Sequence, residues 1–510
     1  MTRAIRAAGS VGLAAVLALG LSGCVSWFLP PQPETTSTPT GEQVDPALQP
    51  FYDQVLVWRG CGDAMQCTTA RAPLDWDDPA AGEIELALIR QPATGSKLGS
   101  LLINPGGPGA SGFQFVRDSV DYATSERLQQ RYDIVGLDPR GVGRSSAVSC
   151  YDDPAFLDAF NYDIVPGDVG SDEWIAAVGE VNERFGEECL EHTGDLLGHV
   201  DTISAARDLD LVRAVLGDER LNFLGYSYGT YLGATYAELY PQKTGRLALD
   251  GALDPATSDE EVTMTQAVGF ENALTAYLED CVLRSECPFR TVDGGRDQIA
   301  RLFASLQASP LRAEDGRDVG VSAMFAATIL PLYNRDTWSY LDILFDELAE
   351  GETRVALILA DSYNDREPDG TYSANTTEAF RAINCLDYPG GSDLEAMRAE
   401  AAALAAAAPV FGPWMAYGGL TCRDWPFPPT RERGEITAPG SPDILVIGTS
   451  NDPATPYEWA VALADQLENG HLVSYEGEGH TAYNKSNACV NDAVDGYFID
   501  GAVPETDPRC

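Results

Sequence analysis

From Ile84 onward the chain alternates short apolar runs with longer stretches in which apolar residues recur at helical intervals. The runs at 86–90, 99–103, 132–137, 221–224, 246–250, 443–447 and 472–475 are predicted strands. Between two of them, Ile203, Leu209, Val212, Val215 and Leu216 keep helical spacing and stop at Gly217, a residue suited to the position just past a helix end. Strands alternating with helices in this way specify strand-helix-strand units around a mostly parallel sheet.

The rhythm breaks between residues 256 and 438, a helix-rich interval with an alanine run at 401–408 and four cysteines. Strand patterns return only after it. A chain of 510 residues is too long for one ordinary core. The expected organisation is therefore a discontinuous catalytic domain, residues 46–255 and 439–510, interrupted by a helical lid at 256–438. An insertion at that point belongs above the carboxyl ends of the strands, where it would shape a substrate pocket.

The first two dozen residues carry Arg3 and Arg6, then an apolar run at 11–21 that is too short to span a bilayer comfortably. It ends in Leu21-Ser22-Gly23-Cys24, which resembles a bacterial lipobox; residues 1–24 read as a lipoprotein signal peptide with Cys24 as the lipidated residue. Pro30-Pro31-Gln32-Pro33 and a Thr/Ser/Pro stretch follow, so residues 25–45 are expected to be a flexible linker outside the fold. Such a protein sits outside the cell, lipid-anchored to the bacterial membrane or secreted.

Charge narrows the function classes. A net charge of −45 and a pI near 4.2 exclude nucleic acid as a partner, because phosphate neutralisation needs clustered Lys and Arg. Setting Cys24 aside leaves ten cysteines, an even number in an exported chain. Cys61 with Cys67, Cys281 with Cys287 and Cys489 with Cys510 are natural local pairs, leaving Cys150 with Cys189 and Cys385 with Cys422, although sequence alone leaves the connectivity open. No paired C-x-x-C or H-E-x-x-H spacing occurs, so neither metal nor cofactor is expected.

The sharpest chemical signal is Gly225-Tyr226-Ser227-Tyr228-Gly229, a G-x-S-x-G directly after a predicted strand and before a helix reaching Tyr240. A nucleophile on that strained turn needs glycines two residues to either side, and the turn aims the Tyr228 amide at a developing oxyanion. Serine needs a base, and the chain offers only His192, His199, His471 and His480. The first two precede Ser227 and His471 opens a strand at the far end, which leaves His480, lifted by the loop Glu476-Gly477-Glu478-Gly479. Asp452, in a proline-stiffened loop after the strand at 443–447, is the carboxylate best placed to orient the imidazole. Asn104-Pro105-Gly106-Gly107-Pro108-Gly109 follows another strand, and Gly107, with Gly106 as substitute, is the expected second oxyanion donor. Asp138-Pro139-Arg140-Gly141 reads as structural, with Arg140 tying loops together.

Taken in order, N-P-G-G-P-G, D-P-R-G-x-G-x-S, G-Y-S-Y-G, D-P-x-T-P and G-x-G-H resemble the bacterial secreted tripeptidyl aminopeptidases, within the prolyl-aminopeptidase-like branch of the α/β hydrolases. The likeness runs from about Leu56 to the carboxyl terminus. It implies an α/β-hydrolase fold, a mostly parallel sheet with an inserted lid, and Ser227, Asp452 and His480 as the triad. It implies oxyanion roles for the Gly-Gly turn and Tyr228, and a supporting role for Thr455 near the acid loop. Family members remove short peptides from free amino termini, which calls for an anion to pair with the substrate ammonium; Asp387, beside Cys385 in a recurrent family segment, is the candidate, with Glu271 and other lid carboxylates as competitors. Prolyl-aminopeptidase relatives open the oxyanion turn with histidine where this chain has Asn104, which argues against single-proline release.

The reading expected is a monomeric aminopeptidase acting on peptides with a free amino terminus, touching membrane through its lipid only. A carboxylesterase of the same fold and a non-catalytic peptide-binding lipoprotein are the alternatives.

Overall fold

The computed structural model of the protein describes residues 34–429, 433–504 and 506–510; Cys24 and the expected signal segment lie outside them. Its strands are β1 (Thr35–Thr36), β2 (Val57–Gly60), β3 (Gln66–Pro73), β4 (Glu83–Gln91), β5 (Gly99–Asn104), β6 (Tyr132–Leu137), β7 (Leu221–Tyr226), β8 (Thr244–Asp250), a small pair β9 (Leu311–Arg312) and β10 (Asp318–Val319), then β11 (Ile444–Asn451) and β12 (Gly470–Glu478). Ten of them form one sheet in the order β1-β2-β3-β4-β6-β5-β7-β8-β11-β12. From β6 to β12 all neighbours are parallel, and β1 to β4 close one side as an antiparallel edge. This is the mostly parallel sheet that the alternation predicts, in the α/β-hydrolase architecture that the family resemblance implies.

Each predicted strand is present, and β7, β11 and β12 run further toward their carboxyl ends than their apolar runs do. Successive residues separate onto opposite faces, as a period of two requires. Ile103, Leu224, Ala248, Ile447 and Val473 join a core with Val116, Val490 and Phe498. Their neighbours Leu102, Phe223, Leu249 and Val446 join the larger core, which includes Leu209 and Val212 of helix Thr202–Leu216. That helix ends as expected, Gly217 taking the left-handed conformation at φ 89°.

Two expectations about organisation need correction. Residues 34–45 are not a free linker: Thr35–Thr36 pairs with Val57–Trp58, the Thr40 amide donates to Ala214 O at 3.0 Å, and Glu42 meets the buried guanidinium of Arg213 at 2.6 Å. Thr/Ser/Pro composition disfavours a core but leaves backbone and charge free to bind a neighbouring one. The lid also draws on more than residues 256–438. Helices Pro154–Tyr162 and Asp172–Thr193, expected within the core, pack on it: Tyr162 joins the lid's hydrophobic cluster, and Ile175 packs with Met397, Tyr417 and Leu420. An amphipathic pattern marks a helix face but does not say which partner covers it.

Five disulfides join Cys61–Cys67, Cys150–Cys189, Cys281–Cys287, Cys385–Cys422 and Cys489–Cys510. Arg140 places all its donors, two on Asp208 at 2.7 Å and the rest on the carbonyls of Pro73, Leu74 and His199, and so clamps three segments beneath the sheet edge.

Candidate active site

Five adjacent strands, β5, β7, β8, β11 and β12, finish at one edge of the sheet, and their ends are in register: Asn104 opposes Gly225, Tyr226 opposes Asp250, and Asn451 opposes Glu478. Every candidate residue of the sequence motif set leaves the sheet there.

Ser227 sits between β7 and helix Tyr228–Leu239 with φ 54° and ψ −125°, a conformation uncommon for any residue with a side chain. Its flanking glycines are needed sterically. A Cβ on Gly225 would stand 2.3 Å from Gly229 O, and one on Gly229 would stand 2.7 Å from Asn104 Oδ1. The glycine-rich turn after β5 rests directly on this elbow, since a Cβ on Gly106 would lie 2.8 Å from Ser227 Cβ and 3.2 Å from the Tyr228 nitrogen. Asn104 Oδ1 accepts the Gly106 amide at 3.0 Å. That leaves the amides of Gly107 and Tyr228 without a protein acceptor among the described residues, in the neighbourhood where an oxyanion would form.

His480 reaches this place from β12, three strand spacings from β7, or about 14 Å. Four consecutive amides draw its loop back. The His480 amide donates to Tyr333 O of the lid at 2.8 Å, Thr481 to Asp452 Oδ2 at 3.1 Å, Ala482 to Asp250 Oδ1 at 3.0 Å and Tyr483 to Asp250 Oδ2 at 2.8 Å. Positive φ values at Gly479 and Thr481, 103° and 67°, turn the chain on either side of the imidazole. The ring ends up over β8: a Cβ on Gly251 would be 3.3 Å from His480 Cε1. The residue before it, Asp250, gives its carbonyl to the Ser227 amide at 2.9 Å. Nucleophile turn and imidazole thus flank one peptide unit. Tyr333 covers the ring from the lid, centroid to centroid 5.4 Å.

Asp452 is buried and both its oxygens work. Oδ1 accepts the amides of Ala454 and Thr455 and lies 2.9 Å from His480 Nδ1; Oδ2 accepts the Thr455 hydroxyl at 3.0 Å and lies 3.0 Å from the same nitrogen. An anionic oxygen pair at Nδ1 fixes the tautomer that carries its proton there and leaves Nε2 to accept one. Thr455 Oγ1 stands 3.2 Å from Nδ1 and locks the carboxylate's rotation.

The two expected ammonium anchors are engaged elsewhere. Asp387 is buried and accepts both the amide and the hydroxyl of Thr202, at 3.1 and 2.5 Å; the same hydroxyl contacts the Tyr228 phenol. Burial pushes the Asp387 carboxyl up to about 6 against those hydrogen bonds. Glu271 accepts the Val410 amide at 3.0 Å inside the lid and faces Arg296 at 3.6 Å, its pKa raised by burial. Each carboxylate joins protein to protein. His471 pairs with Asp443 at 2.9 Å at the opposite end of its strand, and His192 lies on the surface at a helix end.

Asp250 and Tyr333 were not singled out from sequence. Asp250 carried a usable signal, a carboxylate closing a predicted strand in Leu249-Asp250-Gly251, the position logic that selects Asp452. Burial raises its carboxyl, against the pull of Lys485 and the two amides. Tyr333 carried none, because its hydrogen bond to His480 comes from a backbone carbonyl and its ring reaches the imidazole only through the packing of the lid.

Comparison with known proteins adds a consistent picture. Residues 408–510 match the family model described as TAP-like protein. The chain is 35% identical to serine protease Hip1 of Mycobacterium tuberculosis over 91% of its own length and 92% of that protein's. It is 35% identical to carboxylesterase B of the same species over 97% of both chains, and 31% identical to tripeptidyl aminopeptidase of Streptomyces coelicolor over 88% of this chain and 83% of the relative.

Proposed function

Because the chain belongs to the tripeptidyl-aminopeptidase-like family of α/β-hydrolase serine enzymes, we propose that it cleaves short peptides, tripeptides first, from the free amino termini of its substrates outside the cell. His480 Nε2 takes the proton of Ser227 Oγ as that oxygen attacks the scissile carbonyl. The amides of Gly107 and Tyr228 receive the oxyanion, and Asp452 stabilises the imidazolium through Nδ1–H. The protonated imidazole gives its proton to the departing amine; water then attacks the acyl-enzyme by the reverse path.

The observation that carries this reading is the pairing of Asp452 with His480 Nδ1 at 2.9 Å, on a ring seated against the peptide unit that holds Ser227. Relatives named serine protease and tripeptidyl aminopeptidase support peptides over other acyl donors. Five disulfides support an extracellular site, and Cys24 remains the proposed point of lipid attachment.

A carboxylesterase is the second reading, favoured by the relative that carries that name and by machinery indifferent to the leaving group. The discriminating experiment offers the purified protein tripeptidyl amides with free and with acetylated amino ends, beside short acyl esters. Hydrolysis of the free-amino amides, lost on acetylation and in Ser227→Ala, is expected. Turnover of esters alone would favour the second reading. If a fluorophosphonate leaves Ser227 unlabelled in folded protein, the chain is a peptide-binding protein and not an enzyme.

A further inference from the structure

Resting on the aminopeptidase reading, we propose that a lid cavity of about 300 Å³ receives the first residue of the substrate. Asp163 takes the free ammonium there, and Trp174, Phe325, Tyr363 and Trp414 enclose an apolar side chain.

The cavity lies at one end of the lid helix Val321–Leu332, whose first turns supply Ser322 and Phe325 to its wall. The residue after the other end of that helix is Tyr333, whose carbonyl accepts the His480 amide. From Phe325 to Tyr333 the helix rises about 12 Å, at 1.5 Å per residue. An extended peptide covers that distance in three to four residues, at about 3.3 Å each. The span therefore matches a short peptide with its scissile carbonyl beside His480 and its first residue in the cavity. Tyr363 lines the cavity, and its phenol is close enough to that of Tyr333 for the two to influence each other's ionisation, so the two places are neighbours in the lid.

Charge selects the end that enters. Asp163 follows the helix Pro154–Tyr162, and its carboxylate has no hydrogen bond or ion pair to the protein among the described residues. It therefore differs from Asp387, whose oxygens both accept from Thr202, and from Glu271, which is held inside the lid between the Val410 amide and Arg296. Asp163 stands exposed at the cavity rim, where its carboxylate is open to an incoming cation; desolvation, with smaller contributions from Asp318 and Asp158, raises its pKa. Indole and phenyl walls beside an anion suit an ammonium carried on an apolar residue.

The test compares kcat/KM for free-amino and acetylated tripeptidyl amides whose first residue is Ala, Leu or Phe. It uses the wild-type enzyme, Asp163→Asn and Ser322→Trp, the last placing an indole into the cavity from an exposed rim position. Wild type is expected to prefer Leu and Phe over Ala. Asp163→Asn is expected to cut kcat/KM for free-amino substrates about 10- to 100-fold, the loss of a charge-assisted hydrogen bond, and to shrink the ratio of free to acetylated substrates with melting temperature unchanged. Ser322→Trp is expected to reverse the order of first residues, Ala above Phe. If wild type requires a free amino end but both variants keep its ratio and its order, the cavity assignment is overturned and the aminopeptidase reading stands. If wild type itself ignores acetylation, both are overturned.

Discussion

The main-chain carbonyl of Asp250 accepts the Ser227 amide at 2.9 Å, while the carboxylate of the same residue holds the amides of Ala482 and Tyr483 just beyond His480. One residue on the strand between them sets the spacing of nucleophile turn and imidazole loop.

Asp250→Ala would leave two buried amides unpaired, at about 1–3 kcal/mol each, and release the loop that carries His480. The expected result is a fall in kcat on the order of 100-fold with KM little changed, since a displacement of roughly 1 Å at a reacting group has that effect. Asp250→Asn keeps one acceptor oxygen and should recover part of the rate. Steady-state kinetics of the two variants check this; an unaltered kcat in Asp250→Ala would remove the positioning role.

The elbow glycines should be intolerant in proportion to their clashes. Gly225→Ala sets a methyl 2.3 Å from Gly229 O and is expected to destabilise the protein by about 1–3 kcal/mol and to abolish fluorophosphonate labelling of Ser227. Gly496→Ala, in helix Ala488–Asp500 with nothing within 4 Å of the new methyl, is expected to stabilise by about 0.5–1 kcal/mol and to label normally. Denaturant melts and labelling gels separate the two.

Residues 34–45 should contribute to stability although their composition reads as a spacer. Removing them exposes the Arg213 guanidinium, 1% accessible in the fold, and strips Glu42 from both Arg213 and Lys243. Asp210 remains as partner at 2.9 Å, so Glu42→Ala is expected to cost about 1–3 kcal/mol, and deletion of the whole segment more. A truncated protein that melts with the full chain would contradict this.

Asp387 should make stability depend on pH. Its folded value of about 6 lies above that of an unfolded aspartate, so the folded state binds this proton more tightly. The stability it contributes is therefore full below about pH 4, declines as pH rises and levels off once pH passes the folded value, a change of up to about 3 kcal/mol. Asp387→Asn lacks that change. The difference between wild-type and variant melting temperatures, followed from about pH 4 to about pH 7, measures it; a flat difference would show that burial of this carboxyl has no such cost.

Periodicity and local chemistry determined much of this protein in advance. Apolar runs marked the parallel strands, Gly217 marked a helix end, and Ser227 between two glycines announced its turn, because each depends on neighbours within a few residues. Asp452 and His480 were legible for a related reason: loops after strands of a parallel sheet emerge at one edge, so position along the chain predicts convergence. Tertiary structure alone decided the rest. The polar strand β3 exists because it lies in register with β4 from Gln66 opposite Arg90 to Pro73 opposite Glu83. Residues 34–45 are held by strand pairing with β2, by the Ala214 carbonyl and by Glu42 adding a second carboxylate to Arg213, and the two helices of the core segment bridge core and lid because their apolar faces meet both. The Tyr333 carbonyl under His480 has no side-chain signature at all, since every residue carries that group and only packing selects which one is used.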